Sequence, residues 1–284
     1  MISTNKQYKI LRYTQNAAIL IILSVFFICI LFPILIILFN SFKHEEEFYT
    51  RGPFAFPAAI SLESIKTAAG YIQFYKRILN SLLLSIPTTI LATILSMLNG
   101  YALGIGKVKG KSFFLIFFLI GMTLPQEAFV YPLYYIFRSI NLYNTRIAVI
   151  FILTMFHLSF GTYLMKSVME SFPKDLIDSA KMDGANKFYT LFRIVTPLVM
   201  PTLSVLFVFF FIWTWNDFFI SLIFLISEKI QTLPLGILRL RGQYKVDMTY
   251  QAAAALLLCL PCIIFFFVFQ RTLTRGITSA GIKG

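Results

Sequence analysis

The chain has 284 residues, 58% of them hydrophobic and 13% charged, with a mean hydropathy of +0.79. A soluble domain carries about 45–50% apolar and about 25% charged residues, so the composition excludes one and indicates an all-α, polytopic membrane protein. The net charge of +13 is scattered over separate segments, which suits anionic lipid headgroups and excludes a nucleic-acid-binding stripe.

A spanning helix needs about 20 apolar residues. Six stretches qualify, at about 17–39, 78–103, 112–136, 147–165, 199–226 and 249–270. The first follows a polar segment, residues 1–16. It is too long for a signal-peptide core and no small-residue cleavage site follows it, so it reads as a retained anchor. Between spans 1 and 2, about residues 40–77 form a long loop with the run His44-Glu45-Glu46-Glu47, then Pro53 and Pro57. That charge run reads as a solvated face rather than a metal site. Pro87, Pro125 and Pro261 fall inside spans 2, 3 and 6. Each removes a backbone donor and predicts a kink, which neighbouring helices in a membrane can accommodate. Cys29, Cys259 and Cys262 all lie in apolar runs, which argues against structural disulfides. Cys259-Leu-Pro-Cys262 lacks the βαβ setting of a redox motif.

Six spans place both termini on one side. If that side is the cytoplasm, it holds Lys6, Lys9, Arg12, Lys107, Lys109, Lys111, Lys166, Lys174, Lys181, Lys187, Arg193, Arg271, Arg275 and Lys283, against Glu170, Asp175, Asp178 and Asp183. Lys and Arg near span ends prefer the cytoplasm. Both termini, the loop at about 166–198 and the tail 271–284 are therefore expected inside. The loops at about 40–77 and 227–248 are expected outside.

The inner loop between spans 4 and 5 is the most informative segment. Pro173 suits a first helical turn, and Asp175 and Asp178 follow where acids complement the helix dipole. Leu176, Ile177 and Ala180 make a narrow apolar stripe. Gly184, after Asp183, can adopt the left-handed conformation that ends a helix. A second helical run places Phe188, Leu191, Phe192 and Val195 on one face until Pro197 and Pro201 lead into span 5. A helix lying on lipid headgroups would carry a basic face and larger apolar residues. This one is acidic, so a protein groove is its expected partner.

Asp178-Ser179-Ala180, Gly184, Ile194 and Pro197 resemble the EAA loop: E-A-A, then G after three residues and I after nine more, then P. The surrounding run, Pro173-Lys174-Asp175-Leu176-Ile177-Asp178-Ser179-Ala180-Lys181-Met182-Asp183-Gly184-Ala185, is similar to P-K-E-L-x-E-A-A-x-x-D-G-A of MalG-like permease subunits of carbohydrate ABC importers. Asn80-Ser81-Leu82, Gly100-Tyr101-Ala102-Leu103, Pro132-Leu133-Tyr134, Asn144-Thr145, Trp215-Asn216-Asp217-Phe218 and Gln231-Thr232-Leu233-Pro234-Leu235-Gly236 extend the resemblance over nearly the whole chain, to the closing Arg275-Gly276-Ile277-Thr278 and Gly281-Ile282-Lys283-Gly284. Asp178 and Ser179 depart from the Glu and first Ala of the motif; Asp keeps the carboxylate and Ser is nearly isosteric with Ala.

The resemblance implies a type I ABC importer (MetI-like) fold over residues 17–284, with the EAA loop as a cytoplasmic coupling helix. It implies that Pro173, Asp175, Asp178, Ser179, Ala180, Asp183, Gly184, Ala185, Phe188, Ile194 and Pro197 grip an ATPase, with tail contacts from Arg275, Gly276, Gly281 and Lys283. The implied partners are a MalF-like second permease, an ATPase dimer that binds ATP and Mg, an extracytoplasmic solute-binding protein and a carbohydrate. The implied setting is a bacterial or archaeal inner membrane. This chain has no G-x-x-x-x-G-K-[ST] loop to cradle phosphates, so no cofactor and no catalytic residue is expected in it.

Acids inside spans are costly, at about 2.5–3.5 kcal/mol at the bilayer centre, and so are candidates for function. Glu127 falls in the outer half of span 3. Asp217 lies about 27 Å along span 5 from Val199, near the outer surface. Trp213, Trp215 and Asn216 share that depth, where an aromatic belt and sugar stacking are both open. His157 is expected to be a satisfied bundle histidine. In MalG-like subunits the 5–6 loop reaches toward the binding protein, which makes Gln231, Arg239 and Arg241 candidate contacts. A permease for a non-sugar solute such as glycerol phosphate is an alternative. A CDP-alcohol-type phosphotransferase shares Asp183-Gly184-Ala185 but would need further aspartates for its metal. A secondary transporter would show duplicated halves or a proton relay.

Single cysteines placed at Glu46 and at Tyr244 should react with an impermeant thiol reagent in intact cells or spheroplasts, and one at Asn186 should not. Labelling of Asn186 from outside would reverse the orientation.

Overall fold

The computed structural model describes residues 2–240 and 247–281, with side chains for 15–240 and 247–270. Among the described residues every regular element is helical. A long helix, α1 (Ile2–Ser41), precedes two short ones, α2 (Glu45–Arg51) and α3 (Glu63–Tyr71). Next come α4 (Phe74–Gly104), α5 (Lys111–Thr123), a 3₁₀ turn (Gln126–Phe129) and α6 (Val130–Ser139). After these are α7 (Arg146–Glu170), α8 (Lys174–Met182) and the single turn α9 (Lys187–Tyr189). A π-helical run (Thr190–Val195) leads into α10 (Thr196–Trp215), followed by α11 (Phe219–Phe224), a 3₁₀ segment (Pro234–Leu240) and α12 (Met248–Gly281).

Five helices are long and apolar enough to cross a membrane, or six if the bent pair α5–α6 counts as one span. The predicted spans are therefore recovered, with two corrections. Span 3 is no continuous kinked helix: its halves, Lys111–Thr123 and Gln126–Ser139, meet at 104°. Leu124 and Pro125 are both extended (ψ 135° and 140°). The ring of Pro125 forces the preceding residue out of the helical region, so the chain turns rather than bends. Span 5 also stops early, at Trp215, where predicted helix ran to residue 226. The Asp217 carboxylate accepts from the Ser221 N–H (2.8 Å) and hydroxyl (2.7 Å), offering the backbone an alternative to the helical ladder. Pro87, by contrast, is accommodated inside α4, and Pro261 inside α12.

The chain divides into two compact units, Met1–Ile72 with Arg239–Leu257, and Gln73–Leu238 with Leu258–Gly284. In the second, α4 packs along α7, and α10 packs on α4. Small residues permit the close approach. A Cβ on Gly100 would collide with the Met165 side chain and backbone, and one on Gly104 with Met169 and the Lys166 carbonyl. One on Gly161 of α7 would collide with Ser96 and Phe210. Gly100 and Gly104 form the G-x-x-x-G spacing by which membrane helices bring backbones together without a hydrophobic driving force. Two apolar cores flank this seam. One gathers Met97, Met165, Met169, Ile177, Leu191 and Val195 toward α8. The other gathers Leu84, Val149, Ile152, Ile220, Phe224 and Leu235 at the opposite end.

Gly100→Val should overpack the α4–α7 seam and cost about 1–3 kcal/mol or more, since backbone rather than a movable side chain blocks the new atoms. A Cβ at Gly70 meets nothing within 4 Å, so Gly70→Ala should be neutral or stabilising by up to about 1 kcal/mol. Thermal unfolding of the two purified variants would check the contrast.

Candidate functional site

The inner loop folds as a helix, a turn and a second helix. Pro173 (ψ 117°) stands one residue before α8, so it caps the helix instead of occupying its first turn. Asp175 lies in the first turn and Lys181 in the last, both favourable to the dipole. Ile177 and Ala180 are buried against the body of the second unit, while Lys174, Asp175, Leu176, Asp178 and Ser179 face outward. The stripe is thus Ile177 and Ala180; Leu176 belongs to the outer face.

Gly184 has φ +75°. Its N–H donates to the Lys181 carbonyl (3.0 Å), and the Ala185 N–H to the Ala180 carbonyl (2.9 Å). This crossed pair is a Schellman motif, with Gly184 in the left-handed position and Asp183 as the last half-helical residue. Asn186 then caps the second helix, its side-chain oxygen accepting from the Tyr189 N–H at 2.8 Å. The residue type alone could have indicated that cap. Beyond it, the regular face expected for Phe188, Leu191, Phe192 and Val195 is split. Leu191 and Val195 are buried, while Phe188 and Phe192 are exposed. The cause is the π-helical run. Pro197 has no N–H to complete an α-helical ladder one turn back, and the Thr196 hydroxyl instead donates to the Leu191 carbonyl five residues upstream (2.8 Å). Ile194 is half-buried and Pro197 exposed.

The outcome is a tip where Met182 (88% exposed) and Phe188 (73%) stand with Leu176 beside the carboxylates of Asp175, Asp178 and Asp183. Asp178 pairs with Lys181 at 2.7 Å, and the ammonium holds its carboxyl below the usual range. Both groups are solvent-exposed, so the pair holds the carboxylate only loosely and leaves it available to a partner. At the base of the tip, Lys111 and Lys166 both pair with Glu170, tying α5 to the end of α7.

The opposite end of the second unit holds a polar network that joins several of the quoted motifs. Arg77 is fully buried and donates to the Thr232 carbonyl (3.3 Å) and Gln231 Oε1 (2.9 Å). Asn80 donates to the carbonyls of Lys229 (3.0 Å) and Gln231 (2.8 Å) and accepts from Arg146 (2.7 Å). The Leu233 N–H donates to the Ser81 hydroxyl at 2.8 Å, and Asn144 exchanges two bonds with Ser227. Gln231, a candidate binding-protein contact, is half-buried and held by Arg77 of α4 through its side-chain oxygen. Arg77 and Arg146 were missed from sequence, although a cation beside an apolar run is a recognisable signal.

The remaining pathway candidates are dispersed. Trp215 is 2% exposed and stacks on Phe211, so it packs the interior and offers no face to a solute. Trp213 is partly exposed and stacks on Phe209. Asp217 caps α11, Asn216 donates to the Ile212 carbonyl (2.9 Å), and Glu127 is exposed on the 3₁₀ turn of the broken span. His157 is buried and hydrogen-bonded to Thr214 (2.9 Å), as a satisfied bundle histidine would be. Arg239 is exposed in the segment Pro234–Leu240. Arg241 and Lys283 lie outside the described residues; Arg275, Gly276 and Gly281 fall in α12, and the Arg275 side chain is outside what is described. Among the described residues no three His, Cys, Asp or Glu side chains are grouped to hold a metal.

Residues 96–279, which include the seam glycines and the whole inner loop, match the binding-protein-dependent transport system inner membrane components. The chain belongs to this family. As a permease it is 30% identical over 272 residues to the inner membrane ABC transporter permease protein YcjP of Escherichia coli, covering 92% of this chain and 94% of that one. It is also 30% identical over 271 residues to the arabinooligosaccharides transport system permease protein AraQ of Bacillus subtilis, covering 93% and 96%. The fold matches a chain in the crystal structure of a bacterial ABC transporter involved in import of the acidic polysaccharide alginate, with a TM-score of 0.80, 20% identity, and 91% and 96% coverage. The permease is thus a transport subunit of the type I ABC importer fold.

Removing the Ser81 hydroxyl should detach the return segment of this permease at one point. In Ser81→Ala the Leu233 amide loses its acceptor, a change of about 1–3 kcal/mol for a buried group. Hydrogen exchange should accelerate at Leu233 and leave the α8 amides unchanged.

Proposed function

We propose that this permease forms half of the translocation pathway of an ATP-driven carbohydrate importer and receives the ATPase stroke through α8. The observation that carries the reading is the tip of α8. Its apolar side chains and three carboxylates point away from the body, while Ile177 and Ala180 anchor it to the same core as Met169 and Leu191. Exposed Met and Phe beside acids suit a groove with an apolar floor and a basic rim. A displaced tip would press on α10 through Leu191 and Val195, and on α7 through Met169.

The ATPase in this reading is a dimer of separate chains that hold ATP and Mg. A second permease, MalF-like, completes the pathway, and a solute-binding protein docks at the end carrying residues 227–236. The distribution of Lys and Arg supports α8 and both termini on the cytoplasmic side. Carbohydrate as the solute rests on the resemblance of the motifs and on relatives such as AraQ, whose name specifies arabinooligosaccharides.

Gly184→Leu should strain the left-handed residue and misaim the tip, and Asp178→Ala should weaken docking by about 1–3 kcal/mol if the carboxylate makes a charge-assisted bond. Both variants should still insert and pair with the second permease. Substrate-stimulated ATPase activity of the reconstituted complex is the readout; a normal rate in Gly184→Leu would count against the coupling role.

A further inference from the structure

The joint between the inner loop and α10 changes helical register, and two threonines bracket the change. Thr190 is buried, and its hydroxyl (3.0 Å) and N–H (2.9 Å) both donate to the Asn186 carbonyl, four residues upstream. Thr196 donates in the same double fashion, but to Leu191, five residues upstream: its N–H and its hydroxyl (2.8 Å) both meet that carbonyl. The extra residue of the π-helical run therefore lies between these two anchors. In a regular helix a threonine hydroxyl reaches back only three or four residues. A carbonyl has two lone pairs. Thr196 occupies both at Leu191, which leaves none for the Val195 N–H and closes the α-helical alternative there.

Pro197 favours a widened turn without being enough to select one. Its ring would clash with the Arg193 carbonyl in an α-helix, and a π turn relieves the clash. Yet Pro33, Pro87, Pro201 and Pro261 also lie inside helices, and among the described residues none of them follows a π-helical run. Each of those prolines comes after an apolar residue: Phe32, Ile86, Met200 or Leu260. Pro197 comes after a hydroxyl.

The register decides which side chains meet the core. Phe188, Leu191, Phe192 and Val195 would share one face of a regular helix. In the π register Leu191 and Val195 are 3% and 0% exposed, whereas Phe188 and Phe192 are 73% and 50%. Loss of the extra residue would turn the preceding segment by about 100° about the helix axis. Both phenylalanines would then swing toward the core that holds Leu191 and Val195. That core also contains Met97, Met165 and Met169, side chains adaptable enough to receive them. Met97 already reaches the joint, with Sδ 3.3 Å from the Thr196 hydroxyl.

We propose that Thr196 is a positioning residue for coupling. By holding the Leu191 carbonyl with both of its donors, it fixes the π register and keeps Phe188 and Phe192 turned toward the partner of α8. The coupling half of this inference rests on the reading that α8 receives the ATPase stroke.

The test uses the full chain with Cys29, Cys259 and Cys262 replaced by alanine, purified with the second permease and carrying Phe192→Cys. A water-soluble maleimide should alkylate position 192 equally fast with Thr196 intact and in Thr196→Ser. It should react about tenfold more slowly in Thr196→Val, which keeps the shape and loses the hydroxyl. If Thr196→Val does not assemble, Thr196→Ala is read in its place. An unchanged rate would overturn the proposal, because the proline alone would then set the register. A thiol introduced by Met182→Cys, ahead of the Gly184 turn, should react equally in every background; slowing there too would overturn the proposal by showing a general collapse of the tip. In the complete importer with Phe192 restored, substrate-stimulated ATPase activity should fall severalfold in Thr196→Val and recover in Thr196→Ser. Slowed alkylation with normal stimulated activity would confirm that Thr196 sets the register and overturn the coupling reading of α8.

Discussion

Close contact between α4 and α7 organises the second unit of this permease. In a bilayer, lipid tails solvate an apolar helix as well as another helix does, so association depends on contact between backbones and on polar groups that find partners. Gly100, Gly104 and Gly161 let the two helices approach within the volume of a side chain. Once they are that close, the Asn99 amide reaches the Thr162 hydroxyl at 3.1 Å, and the Met165 and Met169 side chains fill the space toward α10. Each end of this seam then carries something different.

At one end the seam supports α8. Ile177 and Ala180 need a firm surface to bury against, and Met169 at the end of α7 provides it with Leu191 and Val195. The Schellman turn at Gly184 redirects the chain sharply enough that the second helix returns to the same core within a few residues. A rigid element of this kind can transmit a displacement, because packed interiors shift between arrangements rather than yield gradually. At the other end, Arg77, Asn80 and Ser81 project from the start of α4 and fasten the return segment after α11. Both ends therefore connect to α4 and α7, about 38 Å apart by the length of a 25-residue helix.

The first unit is held together differently. The apolar window of α1 is unburied within the chain, and buried polar groups of the unit, among them Asn40, Ser41, Lys43 and Ser64, gather near the end of α1. Several of their bonds go to loop carbonyls, as in the Ser64 hydroxyl donating to the Lys43 carbonyl at 2.8 Å. Charge here stabilises the chain reversal that follows α1, where a buried unsatisfied carbonyl would be costly.

Apolar run length and turn chemistry made six spans, the helix of the inner loop and its glycine turn legible in the sequence. These depend on local preferences, such as the need for a residue without Cβ at φ +75°. The family was legible too, because its motif is a spacing. Local pattern could not decide what becomes of a proline: Pro87 stays inside a helix while Pro125 ends one. Nor could it show that the Trp215 ring turns inward, that Asp217 spends its charge on Ser221, or that Gln231 is held by Arg77 across 154 residues of chain. Those assignments depend on which groups meet after the helices pack. Hydrophobicity settled which segments enter the membrane; only the tertiary structure decided which polar side chains remain available for a partner.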